Sequence, residues 1–151
     1  MSQPWWPTTA DVAALLTART MDSGSEEAAD FTNDTRPTGG QVIGIIEQSA
    51  AVVSMAVGAG DGTIPTGTAQ DAMRSLTALR AAMSVELAYF PEQVGTDTSP
   101  FDKLQSMYRD EFEAVTRAVD RAISDASGAG GDVAAGGARY RFPDPTPPME
   151  F

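Results

Sequence analysis

Glu86-Leu87-Ala88-Tyr89-Phe90-Pro91-Glu92-Gln93 reads as the end of an apolar helix that carries one carboxylate, stops at a proline after two aromatics and passes into an acidic turn. Proline disfavours helical geometry in the residue before it, so the helix closes at Phe90. Followed backwards, the helical pattern continues to Thr66 or Thr68. On a helical wheel Ala69, Ala72, Leu76, Leu79, Met83, Leu87 and Phe90 share one face. Ala78, Ala81, Val85 and Tyr89 make a second apolar patch nearly opposite. A helix apolar on two sides belongs at the centre of a bundle.

Glu86 falls at the edge of the first stripe, and a carboxylate there needs a hydrogen-bonded or charged partner if it is buried. Arg36 is the partner expected from the sequence. No second carboxylate, His or nucleophile stands at a spacing that would complete a catalytic site around Glu86. Arg36, Glu86, Tyr89, Phe90 and Pro91 are therefore read as structural residues.

Upstream, Ala59-Gly60-Asp61-Gly62-Thr63-Ile64-Pro65 is a connection, since it lacks the Gly-Lys-Ser/Thr ending and the preceding strand of a phosphate-binding loop. The helix before it spans about Gly39 or Gly40 to Val57, with Thr38 as cap and Val42, Ile45, Ile46, Ser49, Val53 and Ala56 on one stripe. Its other side carries little charge beyond Glu47, and Gly44, Ala50, Ala51 and Ser54 are small, so burial on more than one side is expected.

Residues 21–37 form an acidic loop pinned by Phe31. Its carboxylate spacing does not fit a calcium-binding loop. The first helix runs from a cap at Thr8 or Thr9 to about Thr20, with Asp11 facing the positive end of the helix dipole and Arg19 in the last turn. Downstream, Ser99 caps a last helix with Pro100 as its first residue, extending to about Asp125. Leu104, Tyr108, Phe112, Val115, Val119 and Ile123 form its apolar stripe, and Glu113 with Arg117 makes an exposed ion pair.

The expected fold class is all-α, a bundle of about four helices with a flexible, extended C-terminal arm. Residues 1–7 are an N-terminal segment, 8–126 the bundle, 127–138 a Gly/Ala linker and 139–151 an extended docking arm. The arm joins Arg139, Tyr140, Arg141, Phe142, Met149 and Phe151 to four prolines. Aromatic and Arg side chains dominate interface energies, and proline lowers the entropy lost on docking. Trp5 and Trp6 either close off the bundle or mark a subunit contact, and with the six arm residues they complete the candidate protein interface.

The 151 residues, 42% of them hydrophobic, fit one folded unit. No apolar run is long enough to span a membrane and no secretory pattern opens the chain, so a soluble protein made in the cytoplasm is expected. With no Cys and no His, thiol nucleophiles, disulfides, ordinary zinc sites and the commonest general base are missing. The reading is non-enzymatic, with no catalytic, metal or cofactor-binding residue and no cofactor. A net charge of −11 opposes binding to nucleic-acid phosphates.

Three stretches carry a resemblance: Asp11-Val12-Ala13-Ala14-Leu15-Leu16-Thr17-Ala18-Arg19-Thr20, Phe31-Thr32-Asn33-Asp34-Thr35-Arg36-Pro37-Thr38, and the opening Glu86–Gln93 segment. Together with the order of helices, over roughly residues 7 to 125, they resemble the head-to-tail adaptor (head-tail connector) proteins of long-tailed actinobacteriophages. The resemblance implies a structural virion protein at the neck, assembled in the host cytoplasm. About twelve copies would form a ring beneath the portal protein, contacting neighbouring subunits and a stopper or tail-terminator protein. Genomic DNA would pass through an acidic channel without a membrane partner. The alternative compatible with the composition is a small acidic helical protein-binding module, a regulator or carrier.

Overall fold

The computed structural model describes residues 3–20, 30–59, 64, 66–94 and 100–128. Among them the chain forms four α-helices and no strand: α1 Thr9–Leu15, α2 Gly39–Ala56, α3 Thr68–Tyr89 and α4 Phe101–Gly128, with a single 3₁₀ turn at Thr17–Arg19. The all-α helical bundle is thus present. The linker from 129 on and the arm at 139–151, like the Ser99 cap, lie outside the described residues.

Local chemistry sets the helix ends. Thr8 accepts from the Asp11 N–H, while the Asp11 carboxylate accepts from the Thr8 N–H at 2.6 Å, a closed capping box. Thr38 and Gln41 repeat the device at the start of α2. There the Gly39 N–H reaches the Thr32 carbonyl at 3.0 Å. A Cβ on Gly39 would sit 2.9 Å from the Phe31 carbonyl oxygen, so only glycine fits where this loop meets the helix. At the other end of α2, Gly58 takes φ +76°. It donates to the Met55 carbonyl while Ala59 donates to Ser54, the double bond pattern that closes a helix on a left-handed glycine.

α3 packs against all three other helices, and α4 packs on α3. Two core clusters are strung along it. Trp5, Val53, Val57, Ile64, Met73, Leu76, Val115 and Val119 form one, and Val12, Leu16, Phe31, Val42, Ile46, Leu79, Val85 and Leu104 the other. Ala78 is buried, as are Ala81 and Ala82 within the second cluster, all small enough to let neighbouring helices approach.

Five expectations need correction. α1 ends at Leu15 rather than near Thr20, because the chain turns at Leu16 into the 3₁₀ turn that aims Arg19 inward. α2 is buried on one side only, since among the helices it packs against α1 and α3 alone; its outer face leaves Ile43 51% and Met55 77% exposed. Leu87 is half exposed, because the last turn of α3 is covered on the Val85–Glu86 side and not on the opposite one. Pro100 stands one place ahead of α4, its carbonyl accepting from the Leu104 N–H, and Arg117 bonds the Glu113 carbonyl oxygen rather than its carboxylate. The N-terminal segment is part of the packed unit, since Trp5 and Pro7 are buried.

The Thr77 hydroxyl is buried in the middle of α3 with no hydrogen-bond partner among the described residues. An unmet buried hydroxyl costs about 1–3 kcal/mol, whereas an apolar group of the same shape does not. Thr77→Val is therefore expected to raise stability by about 1 kcal/mol in urea unfolding; a loss of stability would show that the hydroxyl is bonded in solution.

Candidate interaction surfaces

The best-defined polar constellation joins two of the stretches singled out in the sequence. Glu86 is fully buried, and Arg19 grips it with two parallel bonds, Nε to Oε1 at 2.8 Å and a terminal nitrogen to Oε2 at 3.0 Å. The same terminal nitrogen donates to Gln93 Oε1 at 2.7 Å. The Phe90 ring lies against the guanidinium, 3.9 Å from its carbon to the ring centroid. The Glu86 bonds hold Arg19 charged, raising its affinity for the proton above the ordinary value against the opposing effect of burial.

Arg19 thus takes the place expected of Arg36, which is exposed beside Pro37. The signal was present in the sequence: Arg19 continues the Val12–Leu16 stripe, an arginine on an apolar face. Of the other structural candidates, Phe90 and Glu86 meet at this knot, Tyr89 is half-buried at the end of α3 and Pro91 is exposed in the turn that brings Gln93 round. Thr35 braces the preceding loop, its hydroxyl donating to the Pro37 carbonyl at 2.7 Å and accepting from the Thr32 N–H at 3.0 Å.

A second ion pair was not legible in the sequence. Arg74 on α3 donates twice to Asp11 Oδ2, at 2.6 and 2.9 Å, tying the first turn of α1 to the bundle. The pair borders a cavity of about 340 Å³ between α1, α3 and α4, with Asp71 and Glu111 on its rim and Leu15, Leu79 and Met107 within. Glu111 accepts from the Ser75 hydroxyl. Among the described residues no cluster of His, Cys, Asp or Glu is arranged to hold a metal ion, and no helix is long and apolar enough to cross a membrane.

Of the candidate interface residues, Trp5 is in the core, edge-on to Trp6 with ring centroids 6.3 Å apart. It is 6% exposed and packs into the bundle. Trp6 is only partly covered, and its indole N–H has no acceptor among the described residues. Trp6, Pro7 and Thr9 face Ile43, Ile46 and Glu47 across a groove of about 390 Å³. Farther along α2, Val52 and Met55 are also exposed, Val52 on the flank opposite Ile43. Arg139, Tyr140, Arg141, Phe142, Met149 and Phe151 lie outside the described residues.

Comparison of the chain with known protein families, curated proteins and solved structures finds no match.

Partial burial pushes the Asp11 carboxyl upward, but the Thr8 N–H, Arg74 and the Thr8 hydroxyl outweigh it and hold it below its ordinary value of 3.8. A carboxyl lowered in the folded state adds stability above its unfolded pKa, and that contribution disappears as pH falls through the folded value. Asp11→Asn is expected to lower stability at pH 7 and to flatten its fall below about pH 4. Parallel pH–stability curves for the two proteins would show that the pair contributes nothing.

Proposed function

We propose that the chain is a structural subunit of a virion neck, a head-to-tail adaptor without enzymatic activity. About twelve copies would form a ring under the portal protein and continue the DNA channel toward a stopper or tail terminator. The observation that carries this reading is spatial: the three stretches resembling such adaptors contribute to one structural unit. Val12 and Leu16 from the first and Phe31 from the second share a core cluster with Val85, next to the third. Arg19 from the first binds Glu86, Phe90 and Gln93 of the third.

Two further features support it. The outer face of α2 exposes Ile43, Val52 and Met55, with Glu47 as its main charge, a composition suited to contact with a neighbouring subunit. The net charge of −11 would let DNA pass through a lumen without binding to its wall. Arms from many subunits acting on one symmetric portal gain avidity, so a single chain binds weakly where a ring binds firmly.

The test is to mix the purified chain with the portal ring from the same source and to count bound copies by native mass. A complex with about twelve copies on one face of the portal is the expected result. No association at high concentration, with a stable monomer or dimer remaining, would overturn the adaptor reading in favour of a small acidic binding module.

A further inference from the structure

We propose that the groove between the N-terminal segment and α2 is the docking site for the proline-rich end of the same chain, residues 143–148, held extended against Trp6. The groove has the composition such a ligand requires. Trp6 and Pro7 form one wall, half-exposed Ile43 with Ile46 the other, and Glu47 stands at its edge. Its most telling feature is the Trp6 indole N–H, which is covered yet finds no acceptor among the described residues. A covered donor without an acceptor is costly, and a carbonyl brought alongside the ring would satisfy it after a small rotation of the indole.

Proline-rich segments supply that acceptor. They hold their carbonyls outward in a preformed extended helix, lack competing N–H groups and lose little entropy on docking beside aromatic rings. Pro143-Asp144-Pro145-Thr146-Pro147-Pro148 is such a segment, with proline at four of six positions. The cations just before it, Arg139 and Arg141, complement Glu47 at the groove edge.

Reach selects the same chain. Ala122 and Ile123 pack against the same core cluster as Trp6, the groove wall. From Ile123 to Gly128 the helix rises only about 7.5 Å. Residues 129–142 can then span up to about 50 Å when extended. A short tether of this kind gives an effective concentration in the millimolar range, so even a contact with a Kd of about 1 mM is populated within one chain. Other copies at micromolar concentration do not compete. This contact would hold the arm on its own bundle in the free subunit, and it stands whether or not the subunits form a ring.

The chain has no Cys, so Met149→Cys gives a single attachment point for a nitroxide on the 151-residue chain. With the isotope-labelled, nitroxide-bearing chain, the Trp6 indole resonance, assigned with Trp6→Phe, is expected to broaden together with Thr9 and Ile43. Leu104, in the other core cluster, should stay sharp. Replacing all four prolines of 143–148 with Gly should abolish the broadening and leave the melting temperature unchanged. An unaffected Trp6 resonance, or broadening that survives the Gly replacement, would overturn the proposal. Broadening seen only when a nitroxide-bearing unlabelled chain is mixed with an isotope-labelled one would also overturn it, placing the arm on a second copy.

Discussion

A carboxylate sealed inside a helical bundle imposes the strongest constraint on this chain. Glu86 is fully buried on the helix that every other helix touches. Left without a partner, such a charge would cost several kcal/mol, a large fraction of the stability of a domain this size. Arg19 answers it with a two-bond grip, and Phe90 and Gln93 cover the guanidinium. The requirement runs outward from there: α1 has to stop early, a 3₁₀ turn has to follow, and the turn after Pro91 has to fold back so that Gln93 reaches the same nitrogen. Hydrophobic burial supplies most of the stability, while this pair fixes the register of α1 against α3.

The two core clusters divide the labour along α3. One is made with α2, the later turns of α4 and Trp5, the other with α1, α2, the first turns of α4 and the Phe31 loop. The Arg19–Glu86 knot sits at the α1 end, and the Asp11–Arg74 pair ties the first turn of the same short helix. A helix of seven residues is not stable by itself. Two ion pairs and the buried Val12 and Leu16 account for its presence. The cost of this arrangement is an outer face of α2 that nothing in the described residues covers, and a bundle with such a face is suited to assembly.

Much of this could be read from the sequence because it follows from local rules. Pro91 marks the end of α3, Thr8 and Thr38 cap two helices, Gly58 closes α2, and the Leu104–Ile123 stripe locates the buried side of α4. What escaped depends on distant residues. Nothing in Leu16-Thr17-Ala18-Arg19-Thr20 breaks a helix, and the turn there brings Arg19 to Glu86, 67 positions away. Arg36 was the nearer-looking cation but points to solvent. The bare composition of α2 suggested burial on more sides, whereas low charge on a helix face serves an external contact equally well. Trp5 and Trp6 show the limit from the other side: adjacent and identical, they are separated by packing into a core residue and a groove wall.

The measurement that bears most directly on this account is a double-mutant cycle of unfolding free energies with Arg19→Met, Glu86→Leu and the two combined. If the pair governs the register of α1 on α3, each single change strands a buried or half-buried charge and costs about 3–5 kcal/mol, while the combined change costs less than either alone. A double variant that folds where a single one fails carries the same meaning. Single changes that cost under about 1 kcal/mol, or losses that simply add, would contradict the account and leave the packing of Val12 and Leu16 to hold the first helix in place.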